Sequence, residues 1–197
     1  CGPNGRVSRS FSIAAFPLLF ARSYVEKEPQ LHDNFLIQEN QIKNILEWFD
    51  IIFNCSHKQY IKVPLERIQT AIFEQKNPNS AIIDGFIAWE GMFSSQSNIT
   101  QSVCHSIHKL TTTNAEQQDK EQKPQRLKKL YHLRSTLVHG SSPQKILKTL
   151  ANDRNTYCIE DAYQEVIKVA LECLKKLLQD KDLLELSPEE RCNKLKV

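Results

Sequence analysis

Glycine and proline are scarce in this chain, 5 and 8 of 197 residues, and the scarcity argues against a sheet protein, whose many turns consume both. No two of the six cysteines, Cys1, Cys55, Cys104, Cys158, Cys173 and Cys192, are spaced as CxxC. That scatter reads as the reduced thiols of a cytoplasmic protein and not as a disulfide framework. No apolar run reaches the roughly 20 residues that cross a bilayer, so no membrane partner is expected. The run Phe11 to Phe20 follows Arg6 and Arg9 in the manner of a secretory signal, but Pro17 interrupts it and no small-residue cleavage site follows. There is no glycine-rich phosphate loop, carboxylate metal cluster or serine-nucleophile motif, and no cofactor is expected. Strong charge imbalance is missing as well: a net charge of +3 permits a nucleic-acid partner without demanding one.

What the chain does have is helical periodicity, enough for one sizeable core. Residues 1–38 read as the tail of an upstream domain, 39–184 as a helical domain and 185–197 as a peripheral short helix or tail. Ile42, Ile45, Leu46, Phe49, Ile52 and Phe53 make an amphipathic helix of Glu39 to Asn54. Pro64 sits where the next helix can begin, and Leu65, Ile68, Ala71 and Ile72 form its stripe as far as Lys76. Ser80 can cap a third helix running to Phe93, with Ile83, Phe86, Ile87 and Phe93 on its core face. Ile99 to Thr111 is a shorter helix on Val103, Ile107 and Leu110, and the polar stretch Thr112 to Gln125 is a surface loop. Ser141 to Arg154 reads as a short helix and turn. The longest helix runs from about Cys158 to Asp180, and Ser187, Pro188 and Glu190 look like a capped start to the last one.

The rest of the chain is organised around Gln125 to Gly140, QRLKKLYHLRSTLVHG. Leu127, Leu130, Leu133 and Leu137 form one apolar stripe, Gly140 stops the helix and Pro143 forbids an early restart. Arg134 lies inside that stripe, about 60° from Leu137, so its guanidinium needs a partner. Glu90 falls on the core face of the third helix, and a buried carboxylate is costly unless paired, so Glu90 and Arg134 are expected to meet. Asp84, the alternative carboxylate, is placed on a more polar side. His132, Ser135 and His139 line the polar face of the motif helix. Arg134 and His139 are about 140° and about 7.5 Å of rise apart. One straight helix does not present both to a single phosphate; either the arginine wraps around or a second copy supplies the other half. Lys123, Arg126, Lys128 and Lys129 add positive charge that suits a phosphate backbone, or that simply solvates the helix. Cys104, His105 and His108 offer at most an incomplete zinc-ligand set, and no metal is expected.

LYHLRSTLVHG resembles the RxxxxH motif of HEPN domains, the ApeA-like branch in particular. IIDGFIAWEGMF, Ile82 to Phe93, is similar to that branch's earlier helix, and the resemblance covers Leu65 to Leu184. It implies an all-α bundle of four to five main helices with peripheral short ones. It also implies a metal-independent ribonuclease acting as a homodimer, in defence, abortive infection or toxin action. Arg134 and His139 would then be catalytic, Ser135 supporting, Glu90 the polar partner of the arginine, and His132, Lys128, Lys129 and Arg126 candidate RNA contacts. The branch tends to place an arginine in the preceding helix, but SVCHSIHKL has none, so no role is carried over there. A non-catalytic HEPN module that dimerises, or binds RNA or a nucleotide, fits the same residues; His139 is the residue that separates the two readings.

Overall fold

The computed structural model describes residues 59–95, 98–112, 122–151 and 157–196, and among these every regular element is helical. The Phe11–Phe20 run and the Glu39–Asn54 helix lie outside the described residues. Helix α1, Gln59–Gln69, turns Ile61, Pro64 and Ile68 inward and passes into one π-helical turn, Thr70–Glu74. Pro64 does not open the helix but lies within it. Its ring fits beside Gly91, where an added Cβ would come within 3.0 Å of the proline Cγ, and this burial offsets the lost backbone donor.

Helix α2, Pro78–Met92, starts earlier than Ser80. Pro78 occupies the first turn and the Asn77 side chain accepts from the Asn79 amide at 2.9 Å, so asparagine is the cap. Helices α3, Ile99–Thr111, α4, Gln122–Val138, α5, Gln144–Leu150, and α6, Ile159–Gln179, complete the main bundle. Because α4 begins at Gln122, the end of the expected polar loop is helical.

Helix α2 is the hub: α1, α4 and α6 all pack against it. Gly85 permits the approach of α6, since a Cβ there would meet Val166 at 2.6 Å. Trp89 fixes the register by donating its indole N–H to the Val166 carbonyl at 3.1 Å. With neighbours on several sides, α2 buries Ile82, Asp84, Phe86, Ala88, Trp89 and Met92, while Ile83, Ile87 and Glu90 are only half-buried. The expected core face is therefore rotated, and Asp84, placed on the polar side from the sequence, is 5% exposed. It accepts from Arg67 and from Gln75, each at 3.0 Å, which satisfies both oxygens.

The C-terminal segment is no peripheral tail. After α7, Lys181–Leu184, Ser187 and Glu190 exchange bonds between each one's amide and the other's side chain, 2.8 and 3.3 Å long, and open α8, Pro188–Lys196. Helix α8 lies on α3 and buries Cys192 and the whole of Arg191. The Arg191 guanidinium donates to the carbonyls of Leu183 and Leu184, both at 2.8 Å, and of Met92 at 3.3 Å. These acceptors close α7 and α2, where helix dipoles favour a cation. Burial lowers its pKa to about 10, still protonated at neutral pH.

The four described cysteines, Cys104, Cys158, Cys173 and Cys192, are free thiols. Among the described residues no helix is long and apolar enough to cross a membrane.

Candidate active site

Leu127, Leu130 and Leu133 of α4 are buried and Leu137 is half-buried, the face the leucine spacing predicts. The helix ends in a complete Schellman closure. Gly140 takes φ +66°, its amide donates to Leu137 O at 3.2 Å, and the Ser141 amide donates to Thr136 O at 2.9 Å. His139 is the residue before that glycine and is exposed. The carbonyls of Thr136 and Leu137 are thus occupied by backbone donors, and no side chain among the described residues hydrogen-bonds the His139 imidazole.

Arg134 and Glu90 meet. Arg134 Nη2 donates to Glu90 Oε2 at 3.0 Å, and Nε lies 3.0 Å from Oε1. The Nε contact is an ion pair only, because its N–H is not aligned with the oxygen and finds no hydrogen-bond acceptor. Oε1 accepts instead from the Tyr131 hydroxyl, one turn before Arg134 on α4. The tyrosine ring packs edge-on to Phe86 with centroids 5.6 Å apart, and the guanidinium lies 5.9 Å from its centre. Burial first, then the bond to Glu90 and its charge, raise the Tyr131 pKa, keeping the phenol a donor. Side-chain exposures of 31% for Arg134 and 22% for Glu90 leave the pair at the surface edge, and Nη1 of Arg134 has no partner among the described residues.

His132 and Ser135 are exposed like His139, and the three lie along one ridge of α4. Lys128 and Lys129 are exposed too. Arg126, the remaining candidate RNA contact, is half-buried and committed to structural partners. Its Nε and Nη2 hold Glu165 of α6 at 2.7 and 2.6 Å, Nη1 donates to the Leu150 carbonyl, and the guanidinium covers the Tyr157 ring at 4.9 Å. Tyr157 in turn donates to Glu165 at 2.6 Å. The tyrosines and Glu165 went unrecognised as site residues in the sequence. Tyr131 stands one helical turn before Arg134, a usable signal; Glu165, 39 residues from its arginine, has no local one.

Cys104, His105 and His108 do not gather into a ligand set: no group of three metal-binding side chains occurs among the described residues. Burial pushes the Cys104 thiol up to about 12, and His108 Nδ1 lies 3.0 Å from the Thr112 hydroxyl. Compared with family models, with curated proteins and with solved structures, the chain matches none.

Proposed function

We propose that this protein is a HEPN-type endoribonuclease that needs no metal and works as a homodimer in the cytoplasm, through Arg134 and His139 of two copies. The observation that carries this reading is the contrast within the motif. Arg134 is held by Glu90 with one nitrogen unspent among the described residues, while His139 is exposed beside a Schellman closure made by the backbone and its imidazole is not used as a cap there.

RNA cleavage by its own 2′-hydroxyl forms a new bond from that oxygen to phosphorus and breaks the bond to the 5′-oxygen. A base takes the 2′-proton, an acid protonates the departing 5′-oxygen, and a cation stabilises the charged intermediate. Histidine serves as either acid or base near neutral pH, and arginine offers a fixed fork to phosphate oxygens. Because a single α4 holds its Arg134 and His139 about 140° apart, a second copy facing the first supplies the complementary half. Ser135, on the His139 ridge, is a supporting contact. Work in defence, abortive infection or toxin action follows from the RxxxxH resemblance.

A second reading has its own support: Glu90 neutralises Arg134, as in a module where that arginine only holds helices together. Cleavage of labelled total RNA in EDTA, by the protein and by His139→Ala of matched fold and self-association, separates the two. Loss of at least about a hundredfold in the variant supports the nuclease; equal rates, or none in either, support the binding module.

A further inference from the structure

Between residues 122 and 151 there is no aspartate or glutamate, while Lys123, Arg126, Lys128, Lys129, Arg134, Lys145 and Lys148 give the stretch a formal charge of +7. The whole chain carries +3, so its other residues together carry −4. The hairpin of α4 and α5 is a basic unit on an otherwise acidic chain.

Folding spends part of that charge. Arg126 and Arg134 are paired with Glu165 and Glu90, and Lys123 is half-buried on the Thr111 carbonyl at 3.3 Å. Lys128, Lys129, Lys145 and Lys148 are exposed, and no carboxylate among the described residues pairs with any of them. Lys129 Nζ reaches the Thr149 carbonyl at 3.4 Å, beside Lys148, so lysines of both helices share one surface. Lys128 extends it along the ridge that carries His132, Ser135 and His139.

The surface is mainly charged, with Val138 at the end of α4 its exposed large apolar side chain among the described residues. Ile146, Leu147 and Leu150 of α5 are buried, so the short helix has nothing to insert into a bilayer. Tyr131 and Tyr157 are engaged with carboxylates, so no tyrosine of this unit is offered for base stacking. Charge with little apolar surface and no tyrosine offered for stacking suits recognition of a sugar-phosphate backbone irrespective of base.

We infer that Lys128, Lys129, Lys145 and Lys148 form a sequence-independent seat for the backbone of single-stranded RNA, leading the strand to Arg134 and His139. The inference rests on the ribonuclease reading, and a flexible single strand is the form that can bring its 2′-oxygen in line with the departing oxygen.

The test is fluorescence anisotropy with fluorescein-labelled oligouridylate, in EDTA and on the His139→Ala background so that binding is read without cleavage, from about 50 to about 200 mM salt. Four lysine–phosphate contacts give a slope of log affinity against log salt of about −3. In Lys145→Gln/Lys148→Gln the slope falls to about half, and affinity drops for oligouridylate and oligoadenylate alike. Lys62→Gln, at an exposed position of α1, leaves the slope where it was. An unchanged slope and affinity in the double variant overturns the seat; so does failure to bind RNA, or lysine-dependent binding of phosphatidylserine vesicles in its place. Lysine-dependent RNA binding by a wild-type protein that cleaves nothing retains the seat and removes the ribonuclease reading. Cleavage with unchanged KM in the double variant does the reverse.

Discussion

Two Arg–Glu–Tyr triads sit on one helix, about 12 Å apart along its axis. In each, an arginine of α4 binds a glutamate from another helix, a tyrosine hydroxyl donates to the same carboxylate, and the guanidinium lies near that tyrosine's ring. They differ in how completely the arginine is used. Arg126 spends Nε and both terminal nitrogens, the last on a backbone carbonyl, and ties α4 to α6 and to the end of α5. Arg134 aligns one nitrogen on Glu90, leaves Nε misaligned, and shares its helix end with His139; neither its Nη1 nor that imidazole has a partner among the described residues. A guanidinium with all three nitrogens engaged acts as a structural tie; under the ribonuclease reading, one held from a single side keeps a nitrogen for phosphate.

Crossed substitutions test that distinction most severely. Arg134→Lys keeps the charge and loses the fork; it is expected to reduce EDTA-resistant RNA cleavage by about 10² to 10³ with little change in urea midpoint. Arg126→Lys should leave the rate per folded molecule near wild type. Equal losses of cleavage in the two would erase the difference between the triads.

Stability should reverse the order. Arg126→Ala takes the guanidinium from both Glu165 and the Leu150 carbonyl and is expected to cost about 2 kcal/mol, against about 1 for Arg134→Ala, whose guanidinium makes a single aligned bond. Urea unfolding at unchanged m gives both numbers. A double-mutant cycle of Glu90→Gln with Arg134→Lys sharpens the second: a coupling of at least about 0.5 kcal/mol is expected, and additivity would deny the contact.

Removing one hydroxyl is a smaller change. Tyr157→Phe and Tyr131→Phe should each cost about 1 kcal/mol, and only Tyr131→Phe should also slow cleavage, because it loosens the carboxylate that holds Arg134. The smallest effect is alkaline. Both phenols have raised pKa values, through burial and then their glutamates, so the unfolded chain releases these protons first. Their bonds therefore contribute fully below about pH 10 and progressively less as pH rises through the raised folded values. Tyrosinate absorbance should develop late in the native protein, and earlier once either glutamate is replaced by glutamine.

The sequence disclosed the need of Arg134 for a partner, because helical angles put a charge among leucines. It also named Glu90, though by a face of α2 that the fold rotates: once α1, α4 and α6 surround a helix, apolar residues occur on most sides and periodicity no longer marks inward. Asp84 was misplaced for that reason, its donors Arg67 and Gln75 belonging to a neighbouring segment. Arg126 looked like one more cation of a solvated face, since only the fold brings Glu165 and Leu150 to it. Pro64 within α1 depends on Gly91 of another helix, again a tertiary fact. The ending at Gly140, by contrast, was legible because a Schellman closure is written in a few consecutive residues.

Arg191 carries a consequence in time. It secures the Met92 carbonyl that ends α2, the helix bearing Glu90, from a position 99 residues further along the chain. At synthesis rates of about 5–20 residues per second, the glutamate emerges from the ribosome roughly 5 to 20 s before the residue that finishes its helix. The end of α2 is therefore secured late: for part of those seconds a nascent chain carries Glu90, Tyr131 and Arg134 without the residue that holds the last carbonyl of the glutamate's helix.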